Sequence, residues 1–403
     1  LAQRDIAIIG GGPAGLMAAE VLATAGYTVT VYEQMPTVGR KFLLAGKSGL
    51  NITHSEDFAQ FAQRFGASSP KLQQALEDFT PDDIRAWAAG LGTETFVGTS
   101  GRVFPTAMKA SPLLRAWLRR LETQGVRIKT RHRWLGFDPD GHRFHTPEGE
   151  IMVQPDAALL ALGGASWPRL GSDGTWTEIL AEKHISVSPL KPANCGFDVA
   201  WSEPFRQRFS GEPVKSVAAT STAGRFQGEF VISRHGIEGS LVYAHSAALR
   251  DQLEQEGHAA LILDLAPGRD ASRLARDLAR QDAKASFANR LRKGAGIDGV
   301  KAAVIRETHR QANMLSPDAL AHLIKTLPIP LLRPRPIEEA ISSAGGIAWS
   351  ELTGDYMLKT SPGLFVAGEM VDWEAPTGGY LLTACLAMGR TAAKGIDSWF
   401  SRR

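Results

Sequence analysis

The sequence predicts an α/β fold in which a parallel-sheet domain is split in two by a long insertion. Three observations carry that prediction. From Asp5 to Glu33 a short apolar run, a glycine cluster, an alanine-rich helical pattern and a second apolar run follow one another. Ala157 to Leu162 is a continuous apolar run that enters Gly163-Gly164. Near the C-terminus the same texture returns, where Gly363 to Ala367 runs into Gly368-Glu369. Continuous apolar strands ending in glycines belong to a sheet covered on both faces, with the turns at its carboxyl edge.

The first unit has a mechanical reading. A buried strand delivers the chain to Gly10-Gly11-Gly12-Pro13-Ala14-Gly15. Gly10 allows the tight turn, Gly12 lets backbone approach a pyrophosphate, and Gly15 lets the next helix pack close to the sheet. Pro13 and Ala14 open that helix, whose unpaired N–H groups and positive dipole end face the phosphates. Thr28 to Tyr32 is the second strand, and Glu33 at its tip is placed to accept hydrogen bonds from a ribose. A Rossmann-like dinucleotide-binding domain follows from these parts taken in register. Pro112 to Thr123 reads as a helix and Val126 to Lys129 as a further strand.

From about Leu190 to Pro336 the texture changes. Val214 to Thr222 and Phe226 to Ser233 alternate as antiparallel strands, and basic helical stretches follow. Pro328, Pro330, Pro334 and Pro336 read as a return linker, because each fixes φ and removes a donor. The expected organisation is therefore 1–190 as the first part of the nucleotide-binding domain, 191–336 as the insertion and 337–403 as the second part. In that last part Gly378-Gly379 opens a small-residue helix pattern from Tyr380 to about Ile396.

Composition bounds the function. A chain of 403 residues with 43% hydrophobic content can bury more than one core, and a net charge of +3 demands neither nucleic acid nor membrane. Charge is uneven, with eleven Lys or Arg against five Asp or Glu between Arg269 and Arg310. Cys195 and Cys385 stand far apart outside any C-x-x-C, which fits a reducing compartment and packing roles. No signal-like stretch opens the chain and no apolar run approaches about 18 residues, so a cytoplasmic protein without a membrane partner is expected. No H-E-x-x-H, Cys/His cluster or P-loop occurs, so no metal site is expected.

Two features choose FAD over a nicotinamide as the resident group. Beyond Glu33 the chain passes through Gly39, Arg40 and Lys41, as in flavoproteins whose loop runs past the adenosine and pyrophosphate. Leu364 to Glu369 resembles a second flavoprotein fingerprint, in which an apolar strand ends in glycine plus an acid, here Gly368 and Glu369, that holds the ribityl chain. A helix opening at Gly378-Gly379 would favour negative charge on the reduced flavin by roughly 0.3 to 2 kcal/mol. Those glycines have a second, less favoured reading, as permitting close helix packing.

The blocks Gly39 to His54 (including Asn51), Ala161 to Pro168, Gly228 to Gly239, Ala344 to Ile347, and Gly368 to Asp372 through Tyr380 occur in order along nearly the whole chain. Together they resemble the BaiN-like (YhiN-like) bacterial flavoproteins. The resemblance implies FAD-dependent oxidoreductases, aminoacetone-oxidase-like members among them, with a split FAD domain and a β-barrel-like plus helical insert. The chain departs from relatives that carry Gly-Gly-Arg-Cys-Asn, having Lys47-Ser-Gly-Leu-Asn51, and has Ser343 where Thr is usual.

The reaction expected is hydride transfer between a small organic substrate and non-covalent FAD. No second dinucleotide fingerprint appears, so NAD(P)H enters only as a transient donor; an amine oxidase using oxygen is the alternative. Candidates for substrate chemistry are Ser166, Trp167, His235, Asp372, Trp373 and Tyr380. His235 reads as a proton exchanger or as a surface residue, Trp373 as a stacking or a core indole, and Asp372 as an amine-binding acid or a helix-start residue. Lys41 and Lys47 read as flavin or pyrophosphate contacts or as surface lysines, and His54 as the end of its loop. Arg269, Arg273, Arg276 and Arg280 share a helical face that would suit RNA phosphates, but interleaved Asp270, Asp277 and Asp282 favour a solvated face over a nucleic-acid partner.

Overall fold

The computed structural model describes residues 4–46, 49–282 and 284–403. Lys47 therefore lies outside the described residues. The chain folds as two compact units, one running to Lys191 and again from Ser342 to Arg403, the other from Pro192 to Ile341.

In the first unit β1 (Asp5–Ile9) leads through α1 (Pro13–Thr24) to β2 (Thr28–Glu33) and α2 (Arg40–Ala45). The short strands β3 (Thr53–His54), β4 (Thr95–Val97) and β5 (Arg102–Pro105) follow, then β6 (Arg127–Thr130). A meander of β7 (Arg133–Asp138), β8 (Gly141–Thr146) and β9 (Gly149–Val153) precedes β10 (Ala157–Leu160), and β11 (Val187–Ala193) leads out. The second unit holds β12 (Phe197–Asp198), β13 (Pro213–Ser221), β14 (Gly224–Ile232), β15 (Gly236–Glu238), β16 (Ala259–Asp264), β17 (Leu327–Leu331) and β18 (Arg333–Pro334). The chain then returns through β19 (Ser342–Ile347) and β20 (Leu364–Val366) to the C-terminal helix Tyr380–Ser401.

The sheet that positions the site has the order β20-β10-β1-β2-β6, every neighbour parallel. Both α1 and the C-terminal helix press their small residues together: a side chain on Gly389 would stand 2.3 Å from the Ala14 carbonyl oxygen. That close approach explains the small-residue pattern, since no larger residue permits it. The helix runs beyond the expected Ile396 because Ile396, Trp399 and Phe400 continue its buried stripe.

The second unit is built on one antiparallel sheet of order β17-β16-β13-β14-β15-β12-β18, with helices such as Ala271–Ala279 and Pro317–Lys325 contributing to its core. β17 and β18 stand at opposite ends of that order but are separated only by Leu332, whose N–H donates to the Asp198 carbonyl, so one continuous segment pairs with β16 at its start and with β12 at its end, as the expected barrel-like insert requires. Pro328 and Pro330 correct the linker reading, for they lie within β17 with their rings exposed. Among the described residues β17 has a strand partner, β16, on one side only, and a missing N–H on the other side costs nothing. The second unit also extends past Pro336: Arg335 pairs with Asp198 and Glu339, and Ala340 belongs to its core.

Candidate functional site

The carboxyl ends of β1, β2, β10 and β20 bring the glycine turns together. Gly10 has φ +113°, and a Cβ there would meet the Ala161 carbonyl oxygen at 2.2 Å. A Cβ on Gly15 would stand 2.0 Å from the Gly10 oxygen, so both glycines are required by packing. Gly12 is different. It precedes α1, has Pro13 and Ala14 after it, and a Cβ on it would meet nothing within 4 Å. Its side of the turn is open, at the N-terminal end of a 12-residue helix.

Glu33 is fixed beside that opening. Its Oε2 accepts from the Gly11 N–H at 2.9 Å and its Oε1 from the Met35 N–H at 2.8 Å. Burial pushes its carboxyl above the ordinary value, and the N–H groups of Met35 and Gly11 and the nearby charge of Arg40 oppose that rise. Gly39, at φ +68°, donates its N–H to the Gly11 carbonyl at 2.8 Å and so carries the next segment back to the turn. On that segment Arg40 Nε and Asn51 Oδ1 are buried with no hydrogen-bond partner among the described residues. An open glycine edge, a carboxylate at the strand tip and two orphaned polar atoms fit a dinucleotide, which would complete them.

The second glycine turn is closed. Gly368 has φ +83°, and Glu369 is 6% exposed. Lys41 Nζ donates to Glu369 Oε2 at 2.8 Å, to Ser166 Oγ at 2.8 Å and to Ser172 Oγ at 3.4 Å. The Ser343 N–H donates to Glu369 Oε1 at 2.9 Å, and Ser343 Oγ accepts from the Ala165 N–H at 2.8 Å. Gly164 is a glycine for this reason, since a Cβ would lie 2.3 Å from Ser343 Oγ. Gly163, at φ +72°, lends its carbonyl to Trp176 Nε1 at 2.9 Å. Burial, reinforced by the charge of Glu369, pushes the Cys385 thiol up to about 12, which leaves it inert.

At the third turn Gly378 and Gly379 have φ +137° and +91°, and a Cβ on Gly379 would stand 2.5 Å from Thr53 Cα. Tyr380 is buried. Its hydroxyl donates to Glu56 Oε1 at 2.5 Å, and Arg64 Nε and Nη2 bind the two oxygens of Glu56 at 3.0 and 2.5 Å. Burial raises the Tyr380 pKa, as does its bond to Glu56. For Glu56 burial acts upward, but the bonds from Arg64 and Tyr380 prevail and hold its carboxyl below the ordinary value.

The remaining candidates fall in three settings. Trp373 is 3% exposed, donates Nε1 to the Gly368 carbonyl at 2.9 Å and packs edge-on to Phe65, which is a core indole's environment. Asp372 Oδ2 accepts from Ser188 Oγ at 2.7 Å. Trp167 holds φ 59° after the double glycine. His235 lies in the second unit, exposed in the turn between β14 and β15, its carbonyl accepting from the Val199 N–H at 2.9 Å. Sequence reasoning missed Glu56, Arg64 and Ser172, because the residues that draw them to the site, Tyr380 for Glu56 with its neighbour Arg64 and Lys41 for Ser172, are remote in the chain. The arginine helix is knotted on itself: Asp277 takes Arg269 at 2.5 Å, Arg280 at 3.5 Å and Arg273 at 3.9 Å. Among the described residues no group of His, Cys, Asp and Glu could hold a metal ion, and no helix is long and apolar enough to cross a membrane.

Three comparisons bear on this arrangement. The family model for the HI0933-like protein Rossmann domain matches residues 4–395. A ribosomal RNA dihydrouridine synthase of Haemophilus influenzae is 25% identical over 240 residues, 58% of this chain and 59% of that protein, so the chain spans about three fifths of that relative's length. A thiamine thiazole synthase of Methanosarcina barkeri is 27% identical over 190 residues, 44% of this chain and 69% of that enzyme. Among solved structures, a 3-ketosteroid Δ1-dehydrogenase from Sterolibacterium denitrificans shares the fold with TM-score 0.54 at 13% identity, covering 99% of this chain and all of that one.

Proposed function

We propose a function on the premise that this chain belongs to the HI0933-like Rossmann-domain family, a family of flavoproteins: it is a FAD-dependent oxidoreductase, and its substrate is an unsaturated pyrimidine ring, a uridine in RNA. The observation that carries the cofactor is the open edge at Gly12 beside Glu33 and the orphaned Asn51 Oδ1. The α1 N-terminus would offset pyrophosphate charge, Glu33 would accept from a ribose, and Arg40 and Asn51 would satisfy their buried polar atoms on the bound group. FAD supplies two-electron hydride chemistry there.

Similarity to the ribosomal RNA dihydrouridine synthase supports the substrate. Reducing the C5=C6 bond of uracil takes one hydride and one proton, which form the two new C–H bonds; the electron pair comes from a nicotinamide that visits in a separate half-reaction. The small-amine oxidase alternative runs electrons the other way and draws no support from these relatives.

The test is anaerobic. FAD-loaded protein reduced with NADPH is mixed with a uridine-containing RNA transcript, and the RNA is digested for mass spectrometry. Recovery of flavin absorbance together with a nucleoside heavier by two hydrogens is the expected result. A flavin bleached by small amines and indifferent to NADPH and RNA would replace this reading with the oxidase.

A further inference from the structure

The three-stranded sheet of order β3-β5-β4 has an outer face that the cofactor site does not use. Its register pairs His54 with Arg102 and Phe96 with Phe104. Side chains alternate along a strand, so Arg102 and Phe104 share one face while Val103 and Pro105, both buried, point the other way. His54, Arg102, Phe104 and Phe96 thus form one row. Phe96 is 41% exposed on the edge strand, and its ring lies 5.8 Å from that of Phe104 at 31°.

The row is tied to the redox site at one end. The His54 ring stacks on Tyr380 at 5.3 Å, and Arg102 Nη2 reaches Thr377 Oγ1, just before Gly378, at 3.5 Å. Beside the row Met108 is held at φ 60° and is 38% exposed, with its methyl group 2.7 Å from where a Cβ on Gly49 would stand. Arg102 has no carboxylate partner among the described residues, and neither has Lys109, which follows Met108 in the open.

We infer that this face is a stacking platform for unpaired bases of an RNA strand, with Phe96 and Phe104 under the bases and Arg102 and Lys109 on the phosphates. The inference rests on the RNA reading of the preceding subsection and adds where the strand is held. An exposed ring, Phe96, beside the half-buried Phe104 and near cations without carboxylate partners suits single-stranded RNA, because every base offers a π-face and the backbone supplies the negative charge. An exposed ring such as Phe96 on an edge strand is otherwise a liability for self-association.

The test uses the FAD-loaded full chain and a fluorescently labelled oligouridine strand, read by anisotropy. Phe96→Ala is expected to weaken binding about five- to hundredfold and Phe96→Trp to retain it, with FAD affinity and melting temperature unchanged in both. Arg102→Gln is expected to weaken binding and to lower the salt slope by roughly one. Wild-type binding that Phe96→Ala leaves intact would overturn the platform while the RNA reading stands. Absence of wild-type binding would overturn both. A wild-type dimer that Phe96→Ala dissociates, with RNA affinity unmoved, would make the face an interface between copies and equally overturn the platform.

Discussion

Two glycine turns of the nucleotide-binding unit each end a parallel strand beside a glutamate, and the two carboxylates meet opposite circumstances. Glu33 accepts only backbone N–H groups and stands next to a turn that is open at Gly12. Glu369 is saturated by Lys41 and Ser343 beneath a turn packed on all sides. On the proposed function the first acid is kept for a ligand, whereas the second joins chain segments 328 residues apart. A strand, a glycine and an acid therefore do not specify one job. What surrounds the carboxylate decides whether it binds or braces.

The largest expected effect separates glycines within the first turn. Gly15→Val would drive a side chain into the Gly10 carbonyl, which a packed strand–helix junction cannot absorb. A stability loss of about 3 kcal/mol or more is expected in urea unfolding. Gly12→Ala, by contrast, enters open space and is expected to leave the stability of the FAD-free protein within about 0.5 kcal/mol while lowering FAD affinity. Equal FAD affinity in Gly12→Ala would remove that edge from the site.

The next effect compares the acids directly. Glu369→Ala strands a lysine whose side chain is 24% exposed, so the loss is expected at about 2 kcal/mol, below that of a fully buried pair. Lys41→Met should cost less in that background than alone, because the two side chains form one unit. Additive losses would show that they act separately. Glu33→Ala is expected to act mainly on the ligand, at roughly 1.5 to 3 kcal/mol for each charge-assisted hydrogen bond to a ribose. Isothermal titration with FAD reads this directly, and an undiminished affinity would sink the assignment of Glu33.

These contrasts also mark what could be read from the residues alone. The Gly10 to Glu33 unit was legible because turn, helix and strand follow in one short stretch, each with local chemistry. The fates of Lys41 and Tyr380 were not. Lys41 read as a flavin or pyrophosphate contact or as a surface lysine, and nothing near it in sequence announces its partners Ser166, Ser172 and Glu369, just as nothing near Tyr380 announces Glu56. Pro328 and Pro330 misled because proline inside an apolar run signals a break unless the strand is paired on one side only, and that pairing is a tertiary fact. The helix end beyond Ile396 was obscured by Lys394 and Asp397, exposed on its outer face, while Trp399 and Phe400 kept the buried stripe going.

A buried histidine in each unit makes stability depend on acidity. Burial lowers His142 to about 4 in the nucleotide-binding unit, opposed by Asp138, and lowers His245 to about 4 in the other. Trp134 Nε1 donates to His142 Nδ1 at 3.2 Å, and that nitrogen cannot also hold a proton. In the unfolded chain each imidazole returns to about 6.5, so between 6.5 and 4 the unfolded state binds more protons. Stability is then present in full above pH 6.5 and is lost as pH falls toward 4, at roughly 1.4 kcal/mol per pH unit for each histidine. His142→Asn is expected to shallow the acid slope of the first unit's unfolding and His245→Asn that of the second. If unfolding followed by the Trp134 signal kept its full slope in His142→Asn, the acid sensitivity of that unit would have to come from its carboxylates.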